Sequence, residues 1–292
     1  MEKDVLLSLI EKYKLSKEEH DIILKELIDQ LFSKKVKNEK PSIMFVIGQP
    51  GSGKTTFINS VNLSEYTIIN SDEYRKLIKF YPEIMENYPT LLSKLTNYDA
   101  HLWGDELFSY GTINGYSVLR EKVPVDYSLI DLIKELSSKH DITINVLVTG
   151  KLTSLLATRE RYEKEVLENK NAKLSNIDAH NKCYDLLPQF IATCVELGVK
   201  VNYVVPFNNE FKIITPNDNY LDILEQLREE SNMNAYETFE SRIDRIKQFM
   251  ANRNAPNEEY HELDKIQKIY EEIKNKKAKK QWLQTWKLVI LV

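Results

Sequence analysis

Apolar residues recur along this chain in two rhythms that take turns. The first stretch, EKDVLLSLIEKYKLSKEEHDIILKELIDQLFSKK, places Leu6, Leu7, Ile10, Ile22, Leu24, Leu27, Ile28 and Leu31 at helical intervals. It predicts one or two N-terminal helices over 1–40, packed on the core. Ile43, Met44, Phe45, Val46 and Ile47 then form an unbroken apolar run, the pattern of a strand buried on both faces. Similar runs predict strands at 66–70 (YTIIN), 116–121 (YSVLRE), 142–149 (ITINVLVT) and 200–206 (KVNYVVP). Helical patterns separate them: an aromatic-rich region from Asp72 to about Ile113 broken by Pro82 and Pro89, then about 129–139, 153–167 and 175–197. Strands alternating with helices predict an α/β fold, a parallel sheet of about five strands with helices on both faces, over 41–215. From about Asn219 the pattern becomes charged helix, so 216–292 is expected to be a helical extension with a solvated face. The final WKLVILV reads as a strand or packing tail.

Charge and cysteine content narrow the partners. A net charge of −4 over 292 residues disfavours non-specific nucleic-acid binding, which needs a basic face. Cys183 and Cys194 have no CxxC spacing and read as reduced thiols, which makes the cytoplasm the expected compartment. His20, His101, His140, His180 and His261 contain no metal-spaced pair. The first residues lead into an amphipathic segment rather than an apolar h-region, and no apolar run is long enough to span a bilayer. No membrane role is therefore expected.

The chemistry concentrates at GQPGSGKT, residues 48–55. Gly48, Gly53, Lys54 and Thr55 satisfy G-x-x-x-x-G-K-[ST], and three of the chain's eight glycines fall within this loop. Such a loop turns its backbone N–H groups inward onto a phosphate at a helix N-terminus. Lys54 reaches the β- and γ-phosphates, and the Thr55 hydroxyl sits on Mg²⁺. The apolar run before it and the helix-compatible stretch after it supply the strand–loop–helix order that the motif requires. ATP with Mg²⁺ is the expected ligand pair.

An acidic residue just after the second strand is what small-molecule kinases of this architecture present to the acceptor. Here it is Asp72, in IINSDEYRK. Its carboxylate can orient an acceptor hydroxyl and take its proton. Ser71 or Asp72 is equally a plausible helix N-cap, and the two roles can coexist. Cations for the transferring phosphoryl group are offered by Arg159 and Arg161 in ATRERYEKE, and by Lys170 and Lys173, in a candidate lid at about 155–176. The competing assignment is surface ion pairing, since Arg161 and Glu165 stand four residues apart. No D-x-x-G or N-K-x-D guanine reader follows the loop.

The pieces GQPGSGKTT, SDEYRK, GYSVLRE, TRERYE and DAHNKCYDLLPQFI, in that order over roughly 39–206, resemble the zeta toxin family, the kinase half of epsilon/zeta toxin–antitoxin systems. The resemblance implies ATP/Mg²⁺-dependent phosphorylation of UDP-N-acetylglucosamine at the 3′-hydroxyl of its amino sugar, which blocks cell-wall precursor use. It also implies neutralisation by a separate small helical antitoxin. Under it the ATP-binding set is Gly48, Gln49, Pro50, Gly51, Ser52, Gly53, Lys54, Thr55 and Thr56, with Lys173 where a second lid arginine is expected. Asp72 matches the general base, and Arg161 matches the arginine that clamps the phosphates. Glu121 matches the acid closing the third strand, Asp105 stands for a pocket glutamate, and Thr55 is the metal residue.

The acceptor segment departs from the family pattern. Glu121 is followed by KVPVD where GTxR is usual, so Lys122 replaces a glycine and Val125 replaces a substrate-holding arginine. Lys122 is then the candidate substitute. Arg120 precedes Glu121, and strand alternation points it to the other face. Three readings remain open: a sugar-nucleotide kinase of the zeta type, a P-loop kinase with another acceptor (nucleoside, antibiotic or nucleic-acid end), and a nucleotide-binding protein that works through a partner without turnover.

Overall fold

The computed structural model describes residues 3–88, 91–168, 172, 174–208 and 210–290. Its centre is a six-stranded sheet. In chain order the strands are β1 (Ser42–Ile47), β2 (Thr67–Ile69), β3 (Val118–Lys122), β4 (Asp141–Leu147), β5 (Lys200–Phe207) and β6 (Glu210–Ile214). Their spatial order is β2-β3-β1-β4-β5-β6. The first five run parallel, and β6 pairs antiparallel with β5, Val204 opposite Ile213. The predicted α/β sheet is present with one strand more than expected. That strand, EFKII, alternates apolar and polar residues too briefly to stand out after the turn at Asn208, which adopts a positive φ of 49°.

β1 lies between β3 and β4, with Phe45 in register with Arg120 on one side and Ile144 on the other. The chain leaves β1 toward β2 and β3, then crosses to β4. The carboxyl end of β1 is therefore a switch point, where ligands of open α/β sheets bind. Successive β1 side chains serve opposite faces. Ile43, Phe45 and Ile47 enter the main core, whereas Met44 and Val46 join a second cluster with Phe57, Leu119, Leu147 and Val204. Burial on both faces explains why β1 carries no polar alternation.

Helices α1 (Lys3–Lys12) and α2 (Lys17–Phe32) precede the sheet, and α3 (Lys54–Ser60) follows the glycine loop. Ser16 caps α2 in a capping box with Glu19. Leu27 and Phe32 of α2 lie in the main core. Between β2 and β3 come α4 (Ser71–Tyr74), a 3-10 turn (Arg75–Leu77), α5 (Tyr81–Asn87) and the long α6 (Leu92–Ile113). His20 of α2 stacks on the buried Trp103 of α6 and bridges Asp99 (3.0 Å) and Glu106 (2.8 Å), which locks the N-terminal helices to α6. Next are α7 (Ser128–Ser137), α8 (Lys151–Leu167) and α9 (Ile177–Glu196). The chain ends in α10 (Tyr220–Glu237), α11 (Phe239–Asn252) and α12 (Asn257–Ile290). Phe239, Ile243, Ile246 and Met250 of α11 and Leu263 and Ile266 of α12 form a separate core with Leu152, Leu155 and Leu156 of α8. α11 and α12 are thus built onto α8, whereas α10 sends Leu224 into the main core beside the sheet. Among the described residues no helix is long and apolar enough to cross a membrane.

Candidate active site at the carboxyl edge of the sheet

The glycine loop runs from the end of β1 to the start of α3. Gly51 has φ 78° and lies so close to α8 that a Cβ there would stand 2.2 Å from the Ser154 carbonyl oxygen. No L side chain fits, so glycine is what lets the loop seat on α8. Two side-chain ties fix that seat. Gln49 Nε2 donates to Thr149 O (2.8 Å) and Ser154 Oγ (3.2 Å), and Thr149 Oγ1 donates to Ser52 O (3.2 Å). The Gln49 side chain is buried in these bonds, so only its backbone faces the loop interior. His180 shares a 2.8 Å hydrogen bond with the same Ser154 hydroxyl, and burial pushes its imidazole down to about 4, keeping it neutral. The DAHNK segment therefore braces the loop from behind.

Lys54 is buried and spans the loop, its Nζ donating to Gly48 O (2.9 Å) and Gln49 O (3.1 Å). Burial lowers its pKa. Glu121 opposes this charge at 3.8 Å and accepts from Thr55 Oγ1 at 3.2 Å. Ser52 Oγ is buried without a partner among the described residues, an orphaned group that a phosphate oxygen would satisfy. Thr55 and Glu121 offer hard oxygen donors, the kind Mg²⁺ takes beside phosphate oxygens and water. Among the described residues no group of three His, Cys, Asp or Glu could cage a metal by itself.

Asp72 stands after β2 in α4. The N-cap of this short helix is Asn70, whose Oδ1 accepts from the Asp72 N–H (3.1 Å). The capping role considered for Ser71 or Asp72 therefore belongs to Asn70, one register earlier. The Asp72 carboxylate is exposed and accepts from Arg75 Nε at 2.8 Å. Arg75 is itself buried and held by Ser93 O (3.1 Å) and Thr96 Oγ1 (2.8 Å) on α6.

Asp105, on α6, is bound by buried Arg120 and lies 3.9 Å from Lys122. Alternation along β3 holds: Glu121 turns to Thr55, and Arg120 turns to Asp105 and the Phe108 ring. Arg120 thus holds Asp105 from the buried side of the strand. Burial and the Arg120 charge pull Lys122 down to about 8. Val125 packs against the main core, so the position of the missing arginine is an apolar one here.

His101 was not singled out by sequence reasoning. It lies one helical turn before Asp105, and its pKa is lowered by burial and by Arg75 and Lys122, against the opposing fields of Asp72 and Asp105. The i,i+4 spacing from Asp105 on an amphipathic helix was the available signal.

Arg161 projects from α8, half-exposed, with Ser175 Oγ at 3.5 Å and Glu165 at 3.7 Å. Its charge acts on Lys54, as do those of Glu121 and Asp72. Contacts thus tie Lys54 and Thr55, after β1, to Glu121 of β3, and the charges of Asp72, after β2, and Arg161, on α8, also act on Lys54. Arg159, the other candidate cation, does not join them. It is buried and bound to Glu163 (2.9 Å) and Glu259 (2.7 Å). Lys170 and Lys173 lie outside the described residues.

The zeta toxin family model matches residues 28–217, more than half of the chain, and the chain belongs to that family. It is 23% identical over 186 residues to the toxin zeta of Streptococcus agalactiae, a match covering 60% of this chain and 63% of that relative, less than two thirds of its length. Its fold is similar to that in the structure of the PezAT chromosomal toxin–antitoxin system of Streptococcus pneumoniae. That match has a TM-score of 0.67 at 18% identity and covers 80% of this chain and 98% of the other.

Proposed function

We propose that this chain transfers the γ-phosphate of ATP to a hydroxyl of a sugar nucleotide, with the 3′-hydroxyl of UDP-N-acetylglucosamine as the first candidate. The observation that carries the reading is the tie of Lys54 and Thr55 to Glu121 at the carboxyl ends of β1 and β3, with the charges of Asp72 and Arg161 acting on Lys54. In this mechanism the loop backbone and Lys54 hold the β- and γ-phosphates. Thr55 and Glu121 would hold Mg²⁺, which supplies charge neutralisation between the phosphates when bound. Asp72, aimed by Arg75, accepts the proton of the acceptor hydroxyl as its oxygen meets phosphorus. Arg161 meets the charge that builds on the transferring group. Asp105, Lys122 and Glu121 line the acceptor side.

Val125 favours a second reading in which another acceptor is used, because its packing removes a charge that a sugar nucleotide's diphosphate would otherwise meet. The supply of ATP and nucleotide sugars argues for the cytoplasm in either case. A separate antitoxin partner is supported by the similarity to a protein of a toxin–antitoxin system. The test is incubation of the purified chain with ATP, Mg²⁺ and a panel of sugar nucleotides and nucleosides, read by product mass. A phosphorylated UDP-N-acetylglucosamine supports the first reading. A product from another acceptor supports the second, and ATP binding without any product refutes both.

A further inference from the structure

Residues 159–163 of α8 divide sharply by direction. Four of the five face the C-terminal helices. Glu163 is completely buried and takes a bidentate fork from Arg253 (2.9 and 3.0 Å) besides its bond to Arg159. Glu259 of α12 accepts from Arg159 (2.7 Å), Tyr162 OH (3.1 Å) and Arg253. Glu160 takes Arg242 through Nε (2.8 Å) and Nη2 (2.5 Å), and Arg245 at 2.8 Å. At about 100° per residue, Arg161 stands some 200° from both Arg159 and Glu163, on the opposite side of the helix. Arg161 lies seven residues after Ser154, against which Gly51 of the loop is seated, so the side chain assigned to the phosphates shares the loop-facing side of α8 that the ionic cluster leaves clear.

The partners of the cluster, Arg242, Arg245, Arg253 and Glu259, all lie beyond residue 217, where the family match ends. Bidentate guanidinium–carboxylate pairs fix orientation as well as distance. A short apolar contact such as Leu155 or Leu156 on α11 tolerates small rotations of α8, whereas a forked pair on a fully buried carboxylate does not. We propose that α11 and α12 are a positioning module for phosphoryl transfer: through Glu163, Arg253 and Glu259 they set the rotation of α8 that presents Arg161 to the γ-phosphate. This rests on the proposed role of Arg161. Glu163 and Arg253 act as positioning residues, since neither touches the phosphates.

The test uses the paired variant Glu163→Gln/Arg253→Met, which removes one charge of each sign and leaves the Arg159–Glu259 pair, so no buried charge is orphaned. Its readout is the ratio of affinities for a non-hydrolysable ATP analogue and for ADP, measured by calorimetric titration. That ratio reports the γ-phosphate contact and needs no acceptor. Arg161→Ala should lower it about tenfold, the scale of one charge-assisted contact. The paired variant should lower it severalfold, and should add less than twofold in the Arg161→Ala background. An unchanged ratio in the paired variant, or an equal loss in both backgrounds, overturns the proposal. Arg253→Lys, which keeps the charge without the fork, guards against misfolding and should fall between wild type and the paired variant; a wild-type ratio there would also count against it. If Arg161→Ala leaves the ratio intact, the clamp role itself fails. If these ratios move as expected but no acceptor is phosphorylated, the kinase reading fails while the positioning stands.

Discussion

The two halves of the proposed site are built in opposite ways. On the phosphate side the loop itself is held by buried side chains tied to backbone: Lys54 to Gly48 and Gln49 carbonyls, Gln49 to the Thr149 carbonyl, Thr149 to that of Ser52. On the acceptor side the carboxylates of Asp72 and Asp105 are 64% and 60% exposed, and each is held from behind by a buried arginine, Arg75 or Arg120. The first half is a shape made by the main chain, where one glycine with no room for a Cβ sets the loop against α8. The second is a set of charges aimed by other charges. A main-chain cradle suits a ligand common to many enzymes. Aimed side chains can be exchanged one at a time, as Val125 and Lys122 illustrate, so specificity can drift there while the loop stays unchanged.

The largest expected effect falls on the acceptor side. Asp72→Asn keeps size and leaves the Asn70 cap intact, yet removes the proposed proton acceptor. Transfer should fall about 10²–10⁴-fold while ATP affinity stays within twofold, measured by single-turnover kinetics and titration. A variant with normal turnover and a lowered melting temperature would reduce Asp72 to a structural partner of Arg75. Lys54→Ala comes next. Loss of a transition-state charge contact costs roughly 10²–10³ in rate. Because Lys54 bonds only to its own loop and faces Glu121, the melting temperature should hardly change. Full activity in a folded Lys54→Ala protein would end the kinase reading.

How much of this was legible in the chain follows the same division. The loop was, because GQPGSGKT is local and its backbone geometry follows from its glycines. The parallel core was, because β1 is an unbroken apolar run and β4 and β5 are mostly apolar, each broken by one buried asparagine, Asn145 or Asn202. The acceptor side was only partly so: Asp72, Asp105, Glu121 and Lys122 carry recognisable positions, but their supports do not. Arg75 binds α6 at Ser93 and Thr96, and Arg120 reaches Asp105 fifteen residues away, contacts that no local pattern encodes. His101 carried only its i,i+4 spacing from Asp105, a signal shared by many helix-surface pairs. The charged C-terminal helices looked like solvated surface, since the buried forks of Arg253 and Glu163 are written with the same residue types as exposed ion pairs.

The exchange at the acceptor wall should have a smaller and measurable effect. Charge-assisted contacts contribute about 1.5–3 kcal/mol, roughly ten- to a hundredfold in affinity. Val125→Arg should therefore tighten UDP-N-acetylglucosamine binding if the pocket is an attenuated form of the family's, and Lys122→Ala should weaken it if lysine has taken over. Calorimetric titration of both variants separates the cases. No binding to any variant, with turnover of another acceptor by the wild type, would mean that the wall has been rebuilt for a different ligand.

The finest test is pH, and its sign differs for binding and for stability. Lys122 is pulled from its ordinary 10.5 to about 8 by burial, with Arg120 adding repulsion and Asp105 and Asp126 opposing it. If its charge meets an anionic acceptor, affinity should fall as pH rises through 8, by roughly tenfold one unit above that value, where about a tenth of the ammonium remains. Stability should move the other way. Between about 8 and 10.5 the folded chain has released this proton while the unfolded chain still holds it. The unfolded state then binds more protons, and this group's contribution to stability rises with pH across that window. Lys122→Met should flatten both trends together, in acceptor titrations and in melting curves recorded from pH 7 to 10. A pH-dependent acceptor affinity that survives Lys122→Met would assign the titration to another group on the acceptor side. A trend in stability alone would leave Lys122 a wall residue, with the acceptor's charge met elsewhere.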